Sequence, residues 1–486
     1  MTLPLGNGIR TGAQYLVELQ DERDIWLSGE KIPDVTDHAT IGRVAKTLAH
    51  FIDKQHDNDL TELLTHTDKD GKRYGMSFLI PKNKVDVEKR GRAFYECATW
   101  SGGMFGRTPD YKNASLTAFA GAADFLSENG ENFKEHMLDY YEYAKSNDRV
   151  LTHTLINPTF NHAQYKDGKL SEKVALHVVK ETDAGIIVKG ARLLATLGPI
   201  ADEIEVFPSS LLTASKDNIN FSFAFAIPIN TNGVRLICRD SYDLGKSFYD
   251  APLASRFEEM DAVVTFNNVL VPWERVFMYK DPLLCNRAFA ETHAVTHMMH
   301  QVVCSKLAKS EFIVGLLCAM AKATGKDKDS VVKGQIAEAM WITETIRAFR
   351  FSAEQQAEAD QWGNYVPLRR PLDTSRNLFP KMYPRLIEIV QTLGSSSLVA
   401  TPCEADLNND IMEDIEKYFQ TINLSSKDRI ALFRLANDVS ISAFAGRQTL
   451  YERFFFGPPN IMSNIYFDLY PKDEMMAKID DMLKKE

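Results

Sequence analysis

Apolar side chains recur at spacings of three and four through the first 150 residues, which is the period of amphipathic helices. Short connections that contain Asp, Asn and Gly separate these stretches. The pattern predicts a mostly helical N-terminal domain over residues 1–150. Its helices are expected at residues 13–27, 41–53, 85–100, 114–128 and 133–147.

From residue 151 the period changes to alternation of apolar and polar positions, which is typical of strands. Turn sequences at residues 166–169 (KDGK) and 230–233 (NTNG) are those that reverse the chain between antiparallel strands. A parallel sheet would instead alternate strands with helices. We therefore predict an antiparallel β domain over residues 151–275. Its strands are expected at residues 173–180, 185–189, 203–207, 221–229 and 262–271.

After Trp273 the helical period returns, with two long stretches at residues 296–324 and 331–359 that hold almost no Gly or Pro. Loops are expected at residues 362–376 and 394–409. The order predicts an α+β protein whose third domain, residues 276–486, is a helical bundle. Its further helices are expected at residues 379–393, 411–421, 426–456 and 473–485.

Charge and apolar runs narrow the function classes. The chain has 486 residues and a net charge of −10, and no basic stripe stands out, which argues against nucleic-acid binding. The longest apolar stretch, residues 312–321, is short of the roughly 18 residues that a membrane span needs. No export signal is visible at the N-terminus. We therefore expect a cytoplasmic protein without a membrane segment.

Common cofactor and catalytic motifs are missing from the sequence. Gly6 and Gly8 follow no strand and open no GxGxxG, and the P-loop, HExxH and GxSxG patterns do not occur. The six cysteines form no CxxC pair, which argues against a disulfide framework and a zinc site of that kind. The class of protein must therefore be inferred from segments that match none of these motifs.

The first such segment is residues 100–111, where three glycines and a proline surround Arg107. If a helix begins at Pro109, Arg107 and Tyr111 point at one ligand, the first as a fixed cation and the second as a hydrogen-bond donor. An equally good interpretation pairs Arg107 with Asp110 under a turn.

Two further segments follow, of which the first lies where helices give way to strands. His153 stands in the first, at a domain junction of the kind that hosts ligands, although a single histidine is more often structural. Residues 180–202 form the second, and by pattern they are a hairpin, a strand and a glycine turn.

These segments resemble, in order along the chain, the oxygenase components of the 4-hydroxyphenylacetate 3-monooxygenase family. The stretches that carry the resemblance are GRTPDYKNA (106–114), THTLINP (152–158), KETDAGIIVKGA (180–191), PLASRFEEMDAVVTFNNVLVPWERV (252–276), PCEADLNN (402–409) and AGRQTLYE (445–452). More distantly, residues 188–202 resemble the flavin-contacting strand of acyl-CoA dehydrogenases. The resemblance implies that fold, with a middle antiparallel β-barrel domain and FAD between the β domain and the C-terminal helices.

The resemblance also implies roles for individual residues. Arg107, Tyr111 and His153 fall on positions that bind the phenolic hydroxyl and prepare the ring for reaction. Thr196 falls beside the flavin ring. Further positions are Asn157, Thr159 and Asn161 flanking the cofactor, Gly457 and Pro458 at its diphosphate or ribose end, and Ser209 and Ser210 in a loop that would hold an arylacetate carboxylate.

By the same resemblance, FADH2 from a separate NAD(P)H-dependent reductase reacts with O2 to give a C4a-hydroperoxyflavin. That species hydroxylates a para-substituted phenol at the ortho carbon and yields a catechol. The expected substrate is 4-hydroxyphenylacetate, with plain phenol, halophenols and tyrosine-derived phenols left open. The family also implies a homotetramer built as a dimer of dimers. A guanidinium about 4 Å from the phenol favours the phenolate by roughly 4 kcal/mol at an effective dielectric constant of about 20.

Two alternatives remain open. The 4-hydroxybutyryl-CoA dehydratases resemble this family but hold an iron–sulfur cluster beside FAD, and His297 and Cys304 match the spacing of two of its ligands. The other two ligands would have to come from residues 100–107, where no cysteine stands, and Cys97 is the nearby thiol. The second alternative is a catalytically silent member of the fold.

Overall fold

The computed structural model describes residues 3–160, 170–208 and 216–484. Along this part of the chain, helices come first, strands dominate the middle and helices return, which confirms the predicted α+β order. The helices are α1 (Gly12–Glu18), α2 (Ile41–Asp53), α3 (Thr61–Leu64), α4 (Lys84–Thr99), α5 (Pro109–Gly121), α6 (Glu131–Ser146), α7 (Ala254–Phe257), α8 (Pro282–Glu291), α9 (Ala294–Ala323), α10 (Ser330–Gln355), α11 (Arg369–Gly394), α12 (Met412–Phe419), α13 (Ser426–Ser440), α14 (Ala443–Phe454), α15 (Pro459–Leu469) and α16 (Asp473–Leu483).

The strands form two larger sheets and two short hairpins. They are β1 (Ile25–Leu27), β2 (Glu30–Ile32), β3 (Thr65–Thr67), β4 (Arg73–Gly75), β5 (Leu151–Thr154), β6 (His177–Thr182), β7 (Gly185–Thr196), β8 (Glu203–Val206), β9 (Phe223–Pro228), β10 (Val234–Cys238), β11 (Asp261–Pro272), β12 (Val276–Tyr279), β13 (Glu358–Ala359) and β14 (Tyr365–Val366). The larger sheets have the strand orders β2-β1-β10-β11-β7-β6 and β12-β9-β8-β5.

Two strand pairs depart from the predicted antiparallel arrangement. β1 runs parallel to β10, and β5 runs parallel to β8, whereas the other pairs of these sheets are antiparallel. Within the described ranges no closed barrel is found, so the barrel stays a prediction. The domain limits at residues 150 and 275 also stay predictions.

The predicted helix at residues 13–27 is wrong in its second half. α1 ends at Glu18, and Ile25–Leu27 forms β1, which lies between β2 and β10. Arg23 binds Asp21 in the polar run before the strand and donates to the carbonyl of Pro199. This long-range packing overrides a helical period that only a few apolar residues carry.

The C-terminal helices differ from the prediction at their ends. α11 begins at Arg369, inside the predicted loop, because Pro371 lies in its first turn, where a missing N–H costs nothing. The predicted helix at 426–456 is two helices, since the Ser442 side chain caps a new one by accepting from the N–H of Ala445. α15 was not predicted.

The core positions the site by packing α5 against α9 and the strand β5. Buried aromatic and aliphatic side chains of α5, α6, both sheets and α9 belong to one continuous cluster. The described residues include no helix with the length and apolar character needed to span a membrane.

Candidate active site

Arg107 lies in the loop between α4 and α5, and α5 begins at Pro109 as the sequence predicted. The guanidinium carbon is 4.1 Å from the ring centre of Tyr111 and 4.2 Å from that of Phe455. The alternative pairing with Asp110 is wrong, because no Arg107–Asp110 ion pair occurs among the described residues and Asp110 accepts from Gln301 Nε2 at 3.3 Å.

The Arg107 guanidinium has hydrogen-bonding capacity to spare. Its Nε and Nη1 atoms are buried and have no partner among the residues that the structure describes. Aromatic faces attract the charge but take no in-plane hydrogen bond from it. A buried cation with open donors fits an anionic oxygen.

Tyr111 and His153 complete a cluster around this cation. Tyr111 is 3% exposed, and burial raises the pKa of its hydroxyl although Arg107 opposes the shift. The His153 ring, on β5, lies with its centre 5.9 Å from that of Tyr111. Burial lowers the pKa of His153 well below its usual value, and the charges of Lys112 and Arg107 lower it further. Near neutral pH the cluster is therefore a cation, a neutral phenol and a neutral imidazole.

The residues expected to face the flavin lie in different surroundings. Asn157 is buried, and its Oδ1 has no partner within the described part of the chain. Thr159 is exposed. Thr196 ends β7, and its backbone carbonyl accepts from the hydroxyl of Thr152, the neighbour of His153 on β5, at 2.6 Å. Asn161, Ser209 and Ser210 lie outside the described residues.

Gly457 stands two residues beyond Phe455 in the turn between α14 and α15. Its φ of +117° is one that other residues rarely adopt. Gly457 lines a cavity of about 370 Å³, together with Lys306, Arg376 and Phe456. Pro458 is exposed at the start of α15. The turn thus joins the aromatic neighbours of Arg107 to a cationic cavity.

Sequence reasoning missed three charged residues beside this cluster. Glu259 accepts the backbone N–H of Arg107, and Arg447 bridges Glu259 and Asp261. Burial would raise the pKa of Asp261, but Arg447 and then Arg239 bring it down to about 2. All three lie in the stretches 252–276 and 445–452, which carry the family resemblance, and this was the available signal.

Two of the three residues that could bind a metal, His300 and Glu354, already contact each other. His300, Cys304 and Glu354 place one ligand atom each within 4.8 Å of one another. However, Glu354 accepts from His300 Nε2 and from Arg350 Nε, both at 2.9 Å. His297 Nδ1 lies 3.1 Å from Arg90 Nη1. These contacts therefore give no support to the iron–sulfur cluster that the dehydratase alternative requires.

Comparison with solved structures defines the class of protein. The crystal structure of the oxygenase component (HpaB) of 4-hydroxyphenylacetate 3-monooxygenase complexed with FAD is 43% identical, with a TM-score of 0.94 over 98% of both chains. A second structure of this component, complexed with FAD and 4-hydroxyphenylacetate, is 43% identical, with a TM-score of 0.93 over 98% of both chains. An archaeal 4-hydroxybutyryl-CoA dehydratase is 16% identical, with a TM-score of 0.88 over 98% of this chain and 96% of its own, and shares the fold alone.

Sequence comparison identifies the family. The 4-hydroxyphenylacetate 3-monooxygenase oxygenase component of Thermus thermophilus is 43% identical over 98% of both chains. Residues 11–278 match the family model "4-hydroxyphenylacetate 3-hydroxylase N terminal", and residues 285–484 match its C-terminal counterpart. The chain belongs to the 4-hydroxyphenylacetate 3-hydroxylase family. This confirms the resemblance and favours a hydroxylase over a dehydratase.

Proposed function

We propose that this protein is the FADH2-using oxygenase component of a two-component monooxygenase. It would hydroxylate a para-substituted phenol at the carbon ortho to the hydroxyl group and release a catechol. The observation that carries the proposal is the guanidinium of Arg107, which lies against Tyr111 and near His153. Its Nε and Nη1 atoms are buried and have no partner among the described residues. Family membership supports the same reaction.

Arg107 prepares the substrate for attack by an electrophilic oxygen. A guanidinium about 4 Å from a phenol oxygen stabilises the phenolate by roughly 4 kcal/mol at an effective dielectric constant of about 20. That energy corresponds to about three pK units before desolvation takes part of it back. A phenolate ring is richer in electrons than a phenol ring, most of all at its ortho and para carbons.

Tyr111 and His153 divide the remaining work at the phenolic oxygen. Tyr111 stays protonated because burial raises its pKa, so it donates a hydrogen bond to the phenolate. His153 stays neutral, so its imidazole has a nitrogen free of a proton and accepts or relays the phenol proton. Phe455 and Tyr451, which flank Arg107, help to exclude water.

FAD fits the groups around this cluster. Asn157 offers a buried oxygen that has no partner in the described residues, and Thr196 keeps lone pairs after it donates its hydroxyl proton. We propose that Asn157, Thr159, Asn161 and Thr196 hold the flavin, and that Gly457 and Pro458 meet its diphosphate or ribose end. When bound and reduced, the flavin activates O2 for transfer to the phenol.

The substrate that the family favours is 4-hydroxyphenylacetate. The Thermus thermophilus relative and both solved structures carry that activity in their names, and one of these structures is complexed with this compound. We propose that Ser209 and Ser210 bind its carboxylate. A larger or uncharged para substituent would need a different loop in that place.

Two partners belong to the proposal. The first is a separate NAD(P)H-dependent flavin reductase, from which FADH2 diffuses, and both proteins would act in the cytoplasm. The second is further copies of this chain, in a homotetramer. Neither α15 nor α16 has a buried residue, while Phe467, Met476 and Ile479 are 62%, 56% and 56% exposed. Sedimentation analysis of the mass tests the tetramer.

Product analysis tests the function. The protein is supplied with FAD, NADH, a generic flavin reductase and a panel of para-substituted phenols that includes 4-hydroxyphenylacetate. We expect one panel member to gain a single oxygen, detected by mass. Peroxide without a hydroxylated product for every phenol would contradict the proposal. No O2 consumption from FADH2 would instead indicate a catalytically silent member.

A further inference from the structure

Arg447 stands at the centre of a buried ion cluster, on α14. Its Nη1 donates to Glu259 Oε2 at 2.8 Å, its Nη2 to Asp261 Oδ1 at 2.9 Å and its Nε to Asp261 Oδ2 at 3.1 Å. The side chains of Arg447, Glu259 and Asp261 are 8%, 0% and 12% exposed. One guanidinium therefore holds both carboxylates through its full fork of donors.

Glu259 connects this cluster to the phenol side of the site. Its Oε2 faces Arg447, and its Oε1 accepts the backbone N–H of Arg107. The same loop is held by α14 at a second point, because Gln448 Nε2 donates to the carbonyl of Met104 at 2.7 Å. The location of Arg107 thus depends on where α14 places Glu259.

Asp261 connects the cluster to the flavin side. Its Oδ1 accepts the hydroxyl proton of Thr196 at 2.6 Å. Arg239 Nε donates to the other oxygen of Asp261 at 2.9 Å. Since the Thr196 proton is committed to Asp261, Thr196 Oγ1 presents only lone pairs to a further ligand.

We propose that Arg447 is a positioning residue that fixes the phenol side of the site relative to its flavin side. It acts through Glu259 on Arg107 and through Asp261 on Thr196. Buried ion clusters add little net stability because desolvation offsets the attraction, so a cluster placed between these two residues serves geometry. Lysine cannot replace Arg447, because a single ammonium lacks the fork that grips two carboxylates.

This inference rests on the proposed function, so its test uses binding rather than turnover. Two readouts are taken on the full-length protein. The first is the dissociation constant for FAD. The second is the ionisation of bound 4-nitrophenol in the FAD complex, read from the absorbance of its phenolate. Wild-type protein that binds neither ligand would contradict the proposed function itself.

Three substitutions separate the two sides. Glu259→Gln should weaken nitrophenolate formation by about tenfold and leave FAD affinity unchanged, because it loses one charge-assisted hydrogen bond to the Arg107 loop. Asp261→Asn should weaken FAD binding by about tenfold and leave nitrophenol ionisation unchanged. Arg447→Met should shift both readouts.

Arg275→Met is the matched control, because Arg275 Nη1 makes a buried 2.7 Å ion pair with Glu203 and the two side chains are 11% and 2% exposed. It should shift neither readout. Arg447 variants that leave both readouts unchanged, or an Arg275→Met protein with the same double shift, would overturn the inference. If Arg447→Met does not fold, Arg447→Lys and the two carboxamide variants decide, with both readouts shifted in Arg447→Lys.

Discussion

Arg447, which is buried, and Arg107, which is half-buried, both pack near the ring of Tyr451 but have opposite surroundings. The guanidinium carbons of Arg107 and Arg447 lie 5.4 Å and 5.1 Å from the centre of that ring. Arg447 gives its donors to the carboxylates of Glu259 and Asp261. Arg107 has aromatic faces around it, and two of its nitrogens have no partner in the described part of the structure.

The difference separates a residue that fixes the geometry of the site from one that, as we propose, awaits a ligand. Leaving a buried donor unpaired costs roughly 1–3 kcal/mol, and more for a charged group. A protein keeps such a cost where a bound molecule removes it. We therefore propose that, of these two arginines, Arg107 marks the place of the substrate anion.

The largest effect on hydroxylation is expected from Arg107→Gln, which removes the cation that has unpaired donors. Hydroxylation should fall by about a hundredfold or more, since a donor aimed at a developing oxyanion is lost. FAD binding and O2 consumption should persist, with peroxide as the product. Parallel assays of catechol and peroxide measure this coupling. Arg107→Lys keeps the charge but lacks the fork of donors, so its hydroxylation should lie between those of the wild type and Arg107→Gln. Unchanged coupling in Arg107→Gln would contradict the distinction between Arg107 and Arg447.

Tyr111→Phe sharpens the comparison by removing only the hydroxyl. The ring that packs on Arg107 remains, so stability should stay near that of the wild type. Hydroxylation should fall by about tenfold, because one hydrogen bond to the phenolate is lost. The measurement is kcat/KM for the hydroxylated phenol. A loss as large as that of Arg107→Gln would mean that Tyr111, rather than the cation, dominates.

His153 adds a pH test with a definite sign. Its pKa in the folded protein lies well below 6.5. Below pH 6.5 the unfolded chain therefore binds a proton at this histidine, whereas the native state does not. The free energy of unfolding should therefore fall with acid, by up to about 1.4 kcal/mol per pH unit for this group. Urea unfolding at pH 7 and pH 5 checks this.

His153→Gln should reduce this acid loss without abolishing it, because burial also lowers the pKa of His297 and His66. The same variant should lose hydroxylation most at acidic pH, where unassisted phenol ionisation is scarcest. A loss of hydroxylation that does not change with pH would assign His153 a positioning role instead of proton acceptance.

The smallest effect on hydroxylation is expected from Asp110→Asn, which tests whether the carboxylate three residues after Arg107 affects the function of Arg107. Burial raises the pKa of Asp110 to about 6 from an ordinary 3.8, so the wild type loses stability as pH rises through that range. The variant cannot ionise, so it should gain about 2 kcal/mol relative to wild type between pH 4 and pH 7. Thermal unfolding at both pH values measures it. Unchanged hydroxylation is expected, and a large loss would show that Asp110 tunes Arg107.

Arg107, which has unpaired donors, could be predicted as a site residue from the sequence, whereas the ion cluster of Arg447 could not. Pro109 after a glycine-rich stretch predicts a helix start, and the four-residue spacing to Tyr111 then follows from helix geometry. Arg447 and Glu259 are 188 positions apart, and in a linear sequence each is an ordinary charged residue. Only the folded chain shows that their charges are buried together.

The same limit explains the errors in the fold. α2 has the predicted bounds because thirteen residues carry a clear helical period. β1 has three residues, and its parallel partner β10 lies more than two hundred positions away. Periodicity is a local signal, so it reports long elements well and short strands with distant partners poorly.

The C-terminal helix α15 has no buried residue, yet its Met462 and Ser463 form part of the wall of the 370 Å³ cavity beside Phe455. Within its own chain α15 packs on α11, where the Thr374 and Tyr466 hydroxyls lie 2.9 Å apart and Ser463 donates to Asn377 at 3.3 Å. Its outer face would be held by the further copies of the chain that we propose. Its docking then obeys mass action. Dilution should therefore loosen this wall before it unfolds the domains, and specific activity becomes a property of protein concentration as well as of sequence.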